Sequence, residues 1–106
     1  MDITSYLQER QLTVALTGDI DHHRAKDIIR IIDDKIDAYL PLVCILDFSE
    51  VTFMDSSGIA VVICALRKMR ELGGRLLLSS IPPQPMRVLR AAGIEKIAEI
   101  REESKL

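Results

Sequence analysis

Two short stretches concentrate the side chains able to do chemistry: Asp19-Ile20-Asp21-His22-His23 and Asp55-Ser56-Ser57-Gly58. In the first, two carboxylates precede two adjacent imidazoles, a composition that suits a metal ion or an acid–base pair. In the second, a carboxylate and two hydroxyls lead into an apolar run, Ile59 to Leu66. That arrangement suits a nucleophile, a helix cap or a phosphate acceptor. The two cysteines, Cys44 and Cys64, sit inside apolar runs with no CxxC partner, and read as buried reduced thiols of a cytosolic protein.

Spacing narrows these options. A serine at a strand-to-helix turn resembles a nucleophile elbow, but G-x-S-x-G around Ser56 needs glycine at position 54, where Met54 stands. The only available bases are His22 and His23, so a hydrolase is disfavoured and no enzyme activity is expected. Adjacent histidines on a nascent helix point about 100° apart and chelate one ion poorly. The additional Asp and His ligands of an Asp-His-His phosphoesterase are missing, so no metal and no other cofactor is expected. There is no GxxxxGK[ST] and no GxGxxG after a strand, while Gly73-Gly74 reads as the end of a helix. For Asp55-Ser56-Ser57 a helix N-cap and a regulatory phosphoacceptor both stay open. One capping side chain would suffice, and a phosphate on Ser56 would lie near the positive end of the following helix.

The elements that must hold these stretches follow from periodicity. With 106 residues, 48% of them hydrophobic, the chain predicts one domain over 1–106 with a single core. Aromatic residues are only 4% and Trp is absent, so that core must be aliphatic. A net charge of −2 with both signs interspersed, and no basic stripe, argues against nucleic acid as partner. The longest apolar run is too short to span a bilayer and the start is polar, so a cytoplasmic protein without a membrane partner is expected.

Ile3 to Glu9 alternates weakly, as an edge strand would, and a tight corner at Glu9 to Gln11 makes a hairpin with "QLTVALTG", a half-buried strand ending at Gly18. A helix follows, with Asp21 as its cap, Ala25, Ile28, Ile29, Ile32 and Ile36 on its core face, and Pro41 closing it. "LVCILDF" reads as a central strand covered on both faces. The next helix, Gly58 to about Leu72, has a predicted core stripe of Ile59, Val62, Ile63, Leu66 and Met69. Ala60, Val61, Cys64 and Ala65 leave its first turns without a polar side, so it is either buried all round or offers an apolar patch. "RLLLSS" reads as a strand and "PPQPMRVLRAAG" as a short helix. "IEKIAEI" fits an edge strand or a helical turn, and the charged tail "REESKL" is expected to fray. The expected fold is α/β, a mixed four- to five-stranded sheet with helices mainly on one face and the Ser56 helix starting at a strand's C-terminal end.

"FMDSSGIAVV" closely resembles the signature of the anti-sigma factor antagonists, which carry the STAS fold. "LTGDIDHHRA" and "PPQPMRVLRAAGIEKI" extend the resemblance over nearly the whole chain, and "DSSG" with "DHH" points to the sporulation-type branch. The resemblance implies a protein–protein switch. In its unphosphorylated form such a protein binds an anti-sigma factor, itself a serine kinase, and so frees the sigma factor. The kinase then phosphorylates the serine after the motif's aspartate, here Ser56, and a metal-dependent serine phosphatase reverses this. The partner surface is expected around the Ser56 turn and the preceding loop: Asp19, Asp21, His22, His23, Asp55, Ser57, Gly58, Ala60 and Val61. The free protein is expected to be a monomer or weak dimer. The alternative is a STAS interaction or scaffold module, of a stress-signalling or transport-associated complex, that is not phosphorylated.

Overall fold

The hairpin at the start of the chain sets the edge of the sheet. The computed structural model describes residues 3–101, and the expected fraying beyond Arg101 lies outside them. Strand β1 (Ile3–Gln8) pairs antiparallel with β2 (Gln11–Ile20). Glu9 and Arg10 join them with both φ values positive, at 51° and 64°. Two successive left-handed residues make a turn whose twist matches the strands, even though neither is glycine or asparagine. The Arg10 guanidinium donates to the Leu40 carbonyl at 2.8 Å, fastening the hairpin to the neighbouring loop.

From β2 onward every pairing is parallel. Helix α1 (His22–Tyr39) leads to β3 (Val43–Met54), α2 (Ser57–Glu71) to β4 (Arg75–Ser79), and α3 (Pro83–Ala91) to β5 (Glu99–Arg101). A single turn of 3₁₀ helix, Ile94–Lys96, precedes β5, so "IEKIAEI" divides between both of its predicted forms. The sheet order is β1-β2-β3-β4-β5, the order of the chain itself. Right-handed crossovers between strands added always on the same side place every connecting helix on the same face.

The register shows that face. Leu12, Cys44 and Leu76 are aligned across β2, β3 and β4, as are Val14, Leu46 and Leu78. All six are buried and form one core with Ile28, Ile32 and Ile36 of α1, Val62 and Met69 of α2, and Leu89 of α3. The intervening residues, Thr13, Ile45 and Leu77, point to the opposite face, which lies outside that core. β3 is the central strand, as "LVCILDF" reads, but of the two faces expected to be covered only one is covered by helices. Ile45 is only 2% exposed on the open face, shielded within the sheet between its strand neighbours.

Two further details depart from the sequence reading. Strand β2 runs two residues past Gly18, and β3 runs on through Met54, because their ends stay paired beyond two irregularities in register. Gly18 allows this with φ of 87°, a value that suits glycine. In α2 the buried side is Val61, Val62, Ala65, Leu66 and Met69, while Ile59 and Ile63 are only half-buried. The predicted stripe is thus rotated. A helix apolar all round gives periodicity nothing to choose with, and here α1 packs along its flank, where Lys68 meets Asp37 at 2.8 Å.

Candidate functional site

Four chain ends converge at the C-terminal edge of the parallel strands: the ends of β2 and β3 and the starts of α1 and α2. The Asp55 amide donates to the Ile20 carbonyl at 3.1 Å, continuing the β2–β3 ladder into the turn before α2. Alongside, the Thr52 hydroxyl donates to the Asp19 carboxylate at 2.6 Å. Ligands of α/β sheets characteristically meet this edge, where loops leave the strands.

The division of labour within Asp55-Ser56-Ser57 resolves the capping question. Asp55 accepts the Ser57 amide on Oδ1 at 2.8 Å and the Gly58 amide on its carbonyl at 3.1 Å. It therefore performs the capping, satisfying amides that a helix start leaves without partners. Ser56 already has helical backbone angles, −64° and −15°, and its side chain makes no capping hydrogen bond. The residue is exposed, and its hydroxyl stands at the N-cap position immediately before α2. Ser57 is half-buried.

Gly58 has a different role. It is buried, and a Cβ built there would collide with the Met54 side chain, itself fully buried. Glycine lets the first turn of α2 lie directly on the end of β3. Met54 is fixed in turn by Gln84 of α3, which accepts the Met54 amide on Oε1 and donates from Nε2 to the Met54 carbonyl, both at 2.8 Å. The Gln84 amide thus replaces a strand partner where β4 has already ended.

The sequence-derived residues divide by placement. Asp19, His22, His23, Ser56 and Ala60 are exposed at this edge, with Asp21, Asp55 and Ser57 partly exposed among them. Asp21 caps α1, its Oδ1 accepting the Arg24 amide at 3.1 Å. The two imidazoles meet edge to face, with centroids 5.9 Å apart. Among the described residues, no three His, Cys, Asp or Glu side chains gather closely enough to hold a metal ion. Val61 is 1% exposed and belongs to the core, and Gly58 is buried, so neither lies on the accessible surface. Ser56 and Ala60 are four residues apart on one side of α2 and supply the exposed strip instead. Phe53 was not among the sequence candidates. It is 45% exposed beside Asp19, although strict alternation along "VTFM" would have put it on the face of the buried Val51.

The chain thus combines a small mixed sheet, helices on one face and an exposed serine on a strand-to-helix turn. The chain belongs to the STAS domain family, which matches residues 2–105. It is 31% identical over 90 residues to the anti-sigma F factor antagonist of Paenibacillus polymyxa, a match covering 84% of this chain and 76% of that protein. Its fold is that of the anti-sigma factor antagonist SpoIIAA in unphosphorylated form, with a TM-score of 0.83 and 24% identity over 98% of this chain and 90% of that one. Against the phosphorylated form of the Bacillus cell fate determinant SpoIIAA the TM-score is 0.75, with 23% identity over 98% and 93% of the two chains. No helix among the described residues is long and apolar enough to cross a membrane.

Proposed function

We propose that this chain is a cytoplasmic anti-sigma factor antagonist of the sporulation type, acting as one STAS domain over residues 1–106. Unphosphorylated, it binds an anti-sigma factor with serine kinase activity and so releases the sigma factor. Transfer of the γ-phosphoryl of ATP to the Ser56 oxygen, with loss of the hydroxyl proton, ends the complex. A metal-dependent serine phosphatase restores the unphosphorylated, active form. The observation that carries this reading is the free, exposed Ser56 hydroxyl beside an aspartate that has taken over the capping. The antagonist of Paenibacillus polymyxa lends support as a relative.

The partner surface centres on Ser56 and Ala60, flanked by Asp19, Asp21, His22 and His23 on one side and by Asp55 and Ser57 at the turn. Phe53 adds exposed apolar area at the same edge. The acidic residues complement a basic partner. A phosphate there need not refold the domain, because a dianion is tolerated at a helix N-terminus. It acts by adding about −1.5 to −2 charges beside Asp55 and into the contact. Like-charge juxtaposition costs several kcal/mol, enough to weaken binding by about two orders of magnitude.

Phosphopeptide mapping after incubation with kinase and ATP tests this directly, with label expected on Ser56. Ser56→Asp should bind the anti-sigma factor about a hundredfold more weakly, and Ser56→Ala should bind but resist release by ATP. Label on Ser57 or Thr52 would overturn the assignment. No label would leave the non-switching interaction module as the better reading.

A further inference from the structure

The two edges of the sheet are guarded differently. At one edge β5 is only three residues long, and Glu99 and Arg101 on it are charged. Glu99 is held there by the Arg75 guanidinium through hydrogen bonds of 2.9 and 2.7 Å. Short, charged edges resist pairing with another chain. At the other edge β1 is six residues long and contains no charged residue, proline or glycine. One side of it pairs with β2, and among the described residues no strand pairs with the other side. Tyr6 is 62% and Leu7 43% exposed on this strand. An edge of that composition is a template for a further strand.

The register gives the face of each side chain. Ile3, Ser5 and Leu7 are aligned with Leu16, Val14 and Leu12 on the helix face, whereas Thr4 and Tyr6 are aligned with Ala15 and Thr13 on the open face. Beside Ile3 on the helix face a hollow of about 320 Å³ lies between β1 and α1, lined by Ile3, Arg24, Asp27, Ile28, Arg30 and Ile31. Among the described residues neither Arg24 nor Glu9 of the hairpin corner forms an ion pair.

A second copy of β1 fits these features. A two-fold axis normal to the sheet sets identical strands antiparallel, and only residues of the same face then stand opposite each other. The axis must therefore pass through a residue. Through Ser5, it sets Ile3 against the second copy's Leu7 on the helix face and Tyr6 against the second copy's Thr4 on the open face. Apolar and aromatic–β-branched pairs of this kind stabilise adjacent strands. Through Tyr6, it would set Leu7 against Ser5 and Ile3 against Glu9, matching neither. We propose that this chain forms a two-fold dimer through β1 in the Ser5 register, joining two five-stranded sheets into one with all helices on the same face. The second copy's Leu7 then stands at the mouth of the hollow beside Ile3, and its hairpin corner brings Glu9 to the end of β1 where Arg24 stands. One short strand and one hollow from each copy make a small interface, which belongs to a weak and concentration-dependent association. The dimer uses no residue of the Ser56 turn and does not depend on the function proposed above.

Sedimentation equilibrium of the full chain between about 10 μM and 1 mM tests the proposal, with a dimer Kd expected inside that range. Leu7→Asp and Tyr6→Lys, both at exposed positions, should each keep the thermal midpoint of the dilute protein and weaken association by about tenfold or more. Ile97→Asp, 46% exposed just before β5, should leave association unchanged. Hydrogen exchange on the parent needs no variant: amides of β1 should exchange more slowly as concentration rises, and those of β5 should not. The proposal fails if the chain is monomeric at the highest concentration, if both β1 variants associate like the parent, or if exchange in β1 is independent of concentration.

Discussion

Asp21 illustrates how one residue can look like an interface from its surroundings and act as a cap by its bonds. It stands in an acidic loop beside two histidines, yet its carboxylate accepts the Arg24 amide at 3.1 Å and its carbonyl accepts the Arg24 and Ala25 amides. Losing an aspartate cap costs about 1 kcal/mol, which for a domain of this size lowers the thermal midpoint by about 4–8 °C. Asp21→Ala should therefore reduce stability by that amount, and Asp21→Asn, which keeps a capping oxygen, should recover most of it. A midpoint unchanged in the alanine variant would refute the cap. Binding of the partner should be compared between the asparagine variant and the parent, so that lost charge is separated from lost stability. Asp19 belongs to the same loop but is held differently, by the Thr52 hydroxyl 33 residues away. Sequence spacing gave the cap, because capping is local, and had no means of giving the Thr52 contact.

At the scale of elements, the strands and helices were legible wherever one face differs from the other. Leu12, Val14 and Leu16 alternate with less apolar residues, and α1 shows a one-sided row of isoleucines. The far half of β3 was illegible because "SEVTFM" gains its pairing from the irregular end of β2 and from a side chain on α3. Gln84 is 30 residues from Met54 and carries no local mark of its function. Its two hydrogen bonds link α3 to the residue just before Asp55, and Met54 then seats the glycine of the Ser56 turn. Gln84→Leu keeps the bulk but leaves a part-buried amide and carbonyl unpaired, at a cost of about 1–3 kcal/mol. Urea denaturation should show that loss as a lower midpoint with an unchanged slope. Hydrogen exchange should accelerate at the Met54 amide more than in α1. Uniform acceleration across the molecule would mean that the clamp contributes only to global stability and does not hold the turn.

For the molecule as a whole, a mixed sheet with helices mainly on one face was legible from the hairpin and the alternating strands and helices, whereas the order of the strands was not read from the sequence. Which helix becomes central was not legible, because that depends on α1 and α2 packing side by side. The outcome is one core with a radius of gyration of 12.6 Å, about that of a compact domain of 100 residues. Cys44 lies at its centre, fully buried between Leu12 and Leu76 in the sheet register. Burial pushes its thiol up from 9.0 to about 12, because the thiolate has no water or cation to stabilise it. The unfolded chain therefore releases this proton first. Above pH 9 the unfolded state binds fewer protons than the native state, so stability falls as pH rises towards about 12, by at most about 1.4 kcal/mol per pH unit. Below pH 9 the thiol is protonated in both states and contributes no slope. Cys44→Ala removes the titrating group and leaves a small cavity, which lowers stability by a constant amount at every pH. Subtracting the variant's unfolding free energy from the parent's, in urea series between pH 7 and 11, cancels the tyrosine, lysine and arginine titrations common to both. The difference should be flat to about pH 8.5 and then decline. A difference that stays flat to pH 11 would show that the Cys44 thiolate is accommodated in the native core, and that the centre of the molecule opens to water without unfolding.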